Sequence, residues 1–328
     1  MGDTVRALRH RCEYAALVTV AAIIRQCPWS VTRGLGRALG WAFYLLDGVH
    51  RRLTIANLQA AFPARSSVEC HALARATFQH FGRLALDLLK FRTLSHTAML
   101  EMIDVSGAER VEHAQAGGRG ILFLTGHFGF WEIQALAHAL RFGPMSVMAR
   151  PLDNRRVHEF LERARTTTGN SVIYRRGALR RVFRTLAANG AVGLLIDQHV
   201  QSRDAVYVDF FDRPAATTLA LAVLAARTGA PVIPLFALPL EDGRYRLVYE
   251  PAVAPPENET PEALRAFTQR CTDILEMYVR RHPSLWLWMH RRWRDRESEA
   301  MAGMFPAAQP EDPPEHEAEN EMERGPRE

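Results

Sequence analysis

The stretch Gly120–Leu136, GILFLTGHFGFWEIQAL, decides the fold. Its first part is a continuous apolar run ending at Thr125, which is typical of a strand buried on both faces. Gly126 permits a sharp turn, His127 lies at the exit, and a helical pattern carrying Glu132 follows. Functional sites of open α/β sheets collect at strand ends. The stretch therefore predicts a sheet with a site at its edge.

The sequence on either side of this stretch alternates short β-like runs with helical segments. These runs are Gly120–Thr125, Pro144–Ala149, Ser171–Tyr174, Ala191–Ile196 and Val232–Leu238. The alternation predicts a sheet enclosed by helices. We expect a helix over Thr217–Ala226 that is apolar all round and therefore buried or in contact with lipid. We also expect a long helix over Pro261–Arg281.

The first third of the chain is predicted to be helical, with apolar residues at helical spacing over residues 31–47 and 66–92. Residues 1–30 combine arginines with an apolar run, Tyr14–Ile24, and we expect them to form a membrane-anchoring helix lying in the bilayer interface. Two alternatives stay open: a helix packed on the protein's own core, and a tilted full span starting near Tyr14.

Composition is that of a globular protein, with 48% hydrophobic and 23% charged residues among 328. The four cysteines are scattered without a CxxC pair, so neither a zinc site nor a disulfide framework is indicated. We expect one main folded domain over residues 31–300 and an acidic disordered tail over residues 301–328. The segment 303–328 holds eight acidic and two basic residues, which leaves about +11 on the remainder of a chain whose net charge is +5. That positive charge suits anionic lipids or an acidic protein partner. Nucleic acid is not expected, because no recognition motif accompanies the charge.

His127 and Glu132 are the candidate catalytic pair. A carboxylate on one imidazole nitrogen would fix the tautomer and leave the other nitrogen free to take a proton from a hydroxyl group. Residues five apart on a regular helix lie about 140° apart. The two side chains can therefore meet only if His127 precedes the helix and bends back over its first turn. Spacing alone is a weak signal, and a turn histidine beside a glutamate that stabilises the helix N-terminus is the plain alternative.

The pair resembles the HxxxxD/E motif of the lipid A biosynthesis acyltransferases, the lauroyl and myristoyl transferases of Gram-negative bacteria. Other stretches resemble that family in the same order and cover about residues 10 to 296. They are Arg52 with Asn57-Leu58 and Phe62-Pro63, Ala149-Arg150-Pro151 with Asn154, Asp197-Gln198, Phe210-Phe211 through Arg213-Pro-Ala-Ala-Thr217, Arg227 through Pro234, and Trp286 through Trp293.

The resemblance implies an α/β fold similar to the glycerolipid acyltransferases: a mixed sheet flanked by helices, with an α-helical N-terminal membrane-associating region. It implies direct acyl transfer from a thioester, with no acyl-enzyme, no metal and no cofactor. His127 would be the general base and Glu132 its orienting partner. Arg150, Arg165 and Asp197 would be substrate-binding or supporting residues, with Arg163 as an alternative to Arg165. Glu132 stands where the phosphatidic-acid-forming branch has Asp, which disfavours a simple lysophosphatidic acid acceptor.

The resemblance also implies partners and a location. The donor is expected to be an acyl carrier protein or acyl-CoA, the acceptor a lipid A precursor or related glycolipid, and the surroundings the cytoplasmic face of the inner membrane among phospholipids. Ten arginines between Arg150 and Arg184 provide a basic stretch for an acidic carrier. Other functions stay open: a different lysolipid acceptor, a thioester or ester hydrolase, or a non-catalytic membrane-binding protein.

Several further features have plainer interpretations. Asp197 could be a capping or turn aspartate, and Arg150 a salt-bridge arginine at a strand end. The tryptophans at 286, 288 and 293 are expected to pack in the core or at an interface. Gly34-x-Gly36-x-x-x-Gly40 follows no strand and lies in a helical stretch, so a dinucleotide loop is not expected.

Overall fold

The structure is a computed structural model and describes residues 2–174, 177–200 and 205–293. Residues up to Trp293 form one compact unit. The expected acidic tail, 301–328, lies outside the described residues. The first helix belongs to the same compact unit as the sheet.

The helices are α1 (Gly2–Gln26), α2 (Trp29–Leu46), α3 (Gly48–Ala61), α4 (Ser67–Phe91), α5 (His96–Glu101), α6 (Ala108–Ala116), α7 (Trp131–Phe142), α8 (Arg155–Thr166), α9 (Ala178–Ala187), α10 (Ala220–Thr228), α11 (Pro261–Arg281) and a short 3-10 helix, Pro283–Leu285. The strands are β1 (Ile103–Ser106), β2 (Ile121–Thr125), β3 (Met145–Met148), β4 (Ser171–Ile173), β5 (Ala191–Leu195), β6 (Ala205–Asp209), β7 (Pro214–Thr218), β8 (Val232–Pro239) and β9 (Tyr245–Tyr249).

Seven strands form one mixed sheet in the order β1-β9-β8-β2-β5-β3-β4. The five strands from β8 to β4 are parallel, whereas β9 is antiparallel to β8 and β1 is parallel to β9. The remaining two strands, β6 and β7, form an antiparallel hairpin. This confirms the predicted α/β class with a mixed sheet and flanking helices.

Hydrophobic cores cover both faces of the sheet. One contains Leu84 and Phe91 of α4, Val111 of α6 and Ile133 of α7, packed on alternate side chains of the strands. The other contains the apolar sides of α9, α10 and α11. Both faces of β2 are therefore buried, as the uninterrupted run from Ile121 to Leu124 predicts.

All five predicted strand runs are confirmed to within two residues. The predicted helix over Thr217–Ala226 is partly wrong: Pro214–Thr218 is strand β7, and the helix begins at Ala220. The small residues of β7 are buried where they pair with β6. A short apolar run fits a buried strand as well as a buried helix, so periodicity could not separate the two. Strands β1, β6 and β9 were not predicted.

Helix α1 is held against the body of the protein. Ile24 packs with Leu86, Leu89 and Phe160. Asn154 caps α8 with its Oδ1 and donates from Nδ2 to the carbonyl of His10 and the carboxylate of Glu13, and Lys90 donates to two carbonyls at the end of α1. Among the described residues, no helix is both long enough and apolar enough to cross a membrane. The alternative of a full span from Tyr14 therefore finds no support, whereas interfacial anchoring stays a prediction.

Glycines of α2 lie where this helix crosses α4. Gly36 and Gly40 lie buried against α4, where Gly82 faces them. A Cβ atom at Gly40 would overlap the backbone carbonyl of Phe78, and one at Gly82 would overlap Gly40. The glycine spacing therefore serves close packing of two helices and has no relation to a nucleotide loop.

Candidate active site

His127 lies at the carboxyl edge of the sheet, two residues beyond β2. Its neighbour β5 runs parallel, with Thr125 paired to Leu195, so Asp197 emerges beside His127 at the same edge. Gly126 makes this approach possible, because a Cβ atom there would lie 3.0 Å from the Oδ2 atom of Asp197. Two adjacent parallel strands thus bring an imidazole and a carboxylate together across 70 residues of sequence.

Asp197 is the carboxylate that orients the imidazole. Its Oδ1 atom lies 2.9 Å from Nδ1 of His127, and its Oδ2 atom accepts from the backbone N–H of His127 at 2.7 Å. The indole N–H of Trp286 also donates to Oδ2, at 2.9 Å. The carboxylate is fully buried and holds the ring with Nδ1 as the donor.

Glu132 is therefore not the hydrogen-bond partner of His127, and that expectation is corrected. His127 does precede the helix, but Glu132 in the first turn of α7 points toward α8. Arg165 in the last turn of α8 donates from Nε to Oε2 at 2.9 Å and from a terminal nitrogen to Oε1 at 2.5 Å. This two-point geometry turns the carboxylate toward Arg165, and among the described residues no hydrogen bond joins Glu132 to His127. The structure thus brings Arg165 to Glu132, while Arg150 and Arg163 are exposed.

Charge at the site favours a protonated imidazole. Burial alone would lower the pKa of His127, but the charge of Asp197 and its hydrogen bond outweigh burial and raise that pKa above 6.5. Burial alone would likewise raise the pKa of Asp197, yet the facing His127 holds it well below its ordinary value. Asp197 is therefore ionised throughout the physiological range, and His127 forms an ion pair with it whenever it takes a proton.

The family model for the bacterial lipid A biosynthesis acyltransferases matches residues 4–295. The chain belongs to this family. A lipid A biosynthesis lauroyltransferase of Escherichia coli is 25% identical over 85% of this chain and 90% of its own length. A phosphatidylinositol mannoside acyltransferase of Mycobacterium tuberculosis is 25% identical over 66% of this chain and 69% of its own. A solved structure, the 1-acyl-sn-glycerophosphate acyltransferase PlsC of Thermotoga maritima, aligns with 75% of this chain and 97% of its own at 15% identity, with a TM-score of only 0.35.

The site of this acyltransferase contains three further side chains that sequence reasoning did not place there. Trp286 was expected to pack in the core or at an interface, and it is buried in the core while also donating to Asp197. Gln198 puts its amide nitrogen 3.4 Å from Nε2 of His127, the ring nitrogen that Asp197 leaves free. The ring of Trp131 packs edge-on against His127, with centroids 5.3 Å apart. The available signal was that Asp197-Gln198 directly follows a predicted strand, as His127 does.

The remaining candidate, Arg150, is exposed between β3 and α8. Among the described residues, no hydrogen bond or ion pair joins it to His127, Asp197 or Glu132. Over the same residues, no group of three histidine, cysteine, aspartate or glutamate side chains is arranged to hold a metal ion.

Proposed function

We propose that this acyltransferase moves a fatty acyl chain from an acyl thioester to a hydroxyl group of a membrane glycolipid, with His127 as the general base. The proposal rests on the geometry of the His127 imidazole. Nδ1 of His127 is bonded to buried Asp197, whereas Nε2 lies beside the exposed side chain of Gln198, and 21% of the His127 side chain is exposed. This is the arrangement that lets an imidazole remove a hydroxyl proton.

The chemistry then needs no group beyond the chain and its two substrates. Nε2 of His127 takes the hydroxyl proton as the acceptor oxygen bonds to the thioester carbon. Asp197 stabilises the imidazolium that forms. When the intermediate collapses, the carbon–sulfur bond breaks and the imidazolium returns its proton to the leaving thiolate. The acyl group passes directly to the acceptor.

The Glu132–Arg165 ion pair has a supporting role in this proposal. It joins the start of α7, which follows the base directly, to the end of α8, and both side chains are largely buried. The charge of Glu132 favours the imidazolium, while the charge of Arg165 opposes it. The ion pair therefore holds α7 and α8 together beside the site and adds little net charge to the site.

The names of the relatives support the proposed acceptor class. Those compared above are named for acting on lipid A and on phosphatidylinositol mannosides. The chemistry these acceptors share is a hydroxyl group on an anionic membrane glycolipid. We propose that the protein acts at the cytoplasmic face of the inner membrane, with acyl carrier protein as donor and phospholipid around it. The net positive charge of the chain outside residues 303–328 suits both the acidic carrier protein and the anionic bilayer.

The test is acyl transfer by the purified full chain from a radiolabelled acyl carrier protein thioester. Vesicles should contain a lipid A precursor, a phosphatidylinositol mannoside, lysophosphatidic acid or no acceptor. We expect label on one of the glycolipids. His127→Ala should reduce the rate by about 10²- to 10⁴-fold. His71→Ala is a matched control, because His71 is exposed on α4 and bonds to its own helix.

Two outcomes would contradict the proposal. If His127→Ala kept activity within a few-fold of wild type, the base would lie elsewhere. If wild type released free fatty acid at the same rate with and without acceptor, the protein would be a hydrolase using the same histidine.

A further inference from the structure

A second charge develops in this reaction, on the carbonyl oxygen of the thioester. Acyl-transfer enzymes commonly stabilise that oxygen with backbone N–H groups beside the catalytic residue. Here the four consecutive amides of the turn that carries the base are all engaged. Their acceptors are a side chain and three carbonyls: His127 N–H to Asp197, Phe128 N–H to Gly126, Gly129 N–H to Leu285 and Phe130 N–H to Ala237. The turn therefore offers no backbone donor to an oxyanion.

The donor that does face the reacting edge is the side chain of Gln198. Its Nε2 atom lies 3.4 Å from Nε2 of His127, at the position where the acceptor hydroxyl must sit to lose its proton. Because Nδ1 of neutral His127 donates to Asp197, Nε2 carries the lone pair and the amide points an N–H at it. The side chain is exposed, so an arriving substrate can take over that N–H.

Arg292 holds the backbone of Gln198 in place. Arg292 is only 1% exposed and donates to the carbonyl oxygen of Gln198 at 3.3 Å, to that of Ala216 at 2.6 Å and to the hydroxyl group of Thr217 at 2.5 Å. Burial lowers the pKa of Arg292 to about 10, so the guanidinium stays charged at neutral pH. It thereby ties Gln198 to the β7 strand of the hairpin, while Asp197, one residue earlier, is tied to His127.

We infer that Gln198 is a catalytic residue that donates a hydrogen bond to the thioester oxyanion. The inference rests on the proposed function and concerns a step that His127 and Asp197 leave unassisted. As the acceptor oxygen bonds to the carbon, the carbonyl π electrons move to oxygen, and the amide N–H released from His127 Nε2 turns to that oxygen. When the carbon–sulfur bond breaks, the carbonyl re-forms and the amide returns to the histidine.

The experiment compares Gln198→Met, which keeps length but lacks a donor, with Gln198→Asn, which keeps the donor on a shorter chain. We expect kcat of Gln198→Met to fall by about 10²- to 10³-fold, the range seen when one oxyanion donor is removed. KM for donor and acceptor should change little. The acid limb of the pH profile should not move, since the His127–Asp197 pair is untouched. Gln198→Asn should recover part of kcat. An unchanged melting temperature would show that both variants fold.

The outcomes separate the inference from the function on which it rests. If wild type transfers acyl groups and Gln198→Met retains kcat within about threefold, Gln198 is not the donor, and the first-turn amides of α7 take its place. A rise in KM at constant kcat would also overturn the inference, because it would assign Gln198 to substrate binding. Absence of transfer by wild type would instead overturn the proposed function.

Discussion

The His127–Asp197 pair shows how a buried carboxylate sets the working pH of a base. Asp197 has no exposed surface and accepts three hydrogen bonds, two from His127 and one from Trp286. A base acts only when deprotonated, so activity should rise with pH through the raised pKa of His127. The acid limb of the pH–rate profile should therefore lie above 6.5, the ordinary imidazole pKa.

Asp197→Asn should change both the height and the position of this profile. Loss of the negative charge removes the contribution that raises the pKa of His127, so the acid limb should move to lower pH while kcat falls. The double variant His127→Ala/Asp197→Asn should be little worse than His127→Ala alone, because the two side chains act as one unit. Measurement of kcat/KM from pH 5 to 9 checks both expectations. An acid limb that stays in place would show that another group sets it.

At the scale of helices, α2 and α4 approach each other closely because glycines, which have no side chain, lie where the two helices cross. Gly40 of α2 is buried where a Cβ atom would overlap the backbone of Phe78, whereas Gly34 of the same helix has open space around its Cβ position. These two glycines form a matched pair for a stability test.

Gly40→Ala should lower the free energy of unfolding by about 1 to 3 kcal/mol, the usual cost of overpacking. Gly34→Ala should raise it by up to about 1 kcal/mol, because alanine favours a helix more than glycine does. Urea denaturation followed by circular dichroism measures both. Equal effects of the two substitutions would contradict the packing of α2 on α4.

The amphipathic helix α9 is the element we expect to contact the donor. Its buried side holds Val182 and Leu186, and its outer side exposes Arg180, Arg181 and Arg184. It begins shortly after β4, whose parallel neighbours end at the same edge as His127. Arg180 and Arg184, four residues apart, form a basic stripe on this outer side. Arg176 continues the same spacing in the sequence but lies outside the described residues.

The substitutions Arg180→Glu and Arg184→Glu together should raise KM for an acyl carrier protein donor and leave kcat nearly unchanged. The reason is that charges at the edge of a protein–protein interface affect mainly the rate of association. Added salt should lower kcat/KM for the same donor. A small acyl-pantetheine thioester is the control and should be much less affected. Equal losses with both donors would assign the stripe to the membrane or to the fold.

At the scale of the molecule, exposed apolar side chains are concentrated near the N-terminus. Most of the large ones belong to residues 5–49, including Leu35, Leu39 and Phe43, which are spaced four residues apart along α2. Such a patch is typical of a surface that meets a membrane. The first 30 residues were expected to provide the anchor, and α2, which follows them in sequence, exposes further large apolar side chains.

The triple variant Leu35→Ser/Leu39→Ser/Phe43→Ser should weaken binding to anionic vesicles by at least about tenfold, given roughly 1.5 to 3 kcal/mol for each large apolar side chain buried. Leu179→Ser on α9 is a matched control, being 57% exposed. Vesicle sedimentation measures the binding. Substitution is cleaner than deleting residues 1–30, because deletion would also uncover Phe160 and Leu86 beneath α1. Unchanged binding by the triple variant would place the membrane contact elsewhere.

The sequence by itself determined the five strands around the site, most of the helices and the position of the base. A doubly buried strand is a continuous apolar run, a helix repeats its apolar residues every three or four positions, and glycine marks where the chain turns, so β2, Gly126 and α7 follow from local chemistry alone. His127 could be placed at a strand end for the same reason. These features depend on neighbours within a few residues.

The tertiary structure decided which carboxylate serves that base. Glu132 is five residues away and Asp197 is 70 residues away, yet Asp197 lies against the imidazole because β2 and β5 are adjacent and in register. Glu132 is bound by Arg165 because α8 packs beside α7. Strand order and helix packing arise from the burial of whole faces, which no local spacing encodes. The partner of a catalytic side chain is therefore a property of the assembled sheet.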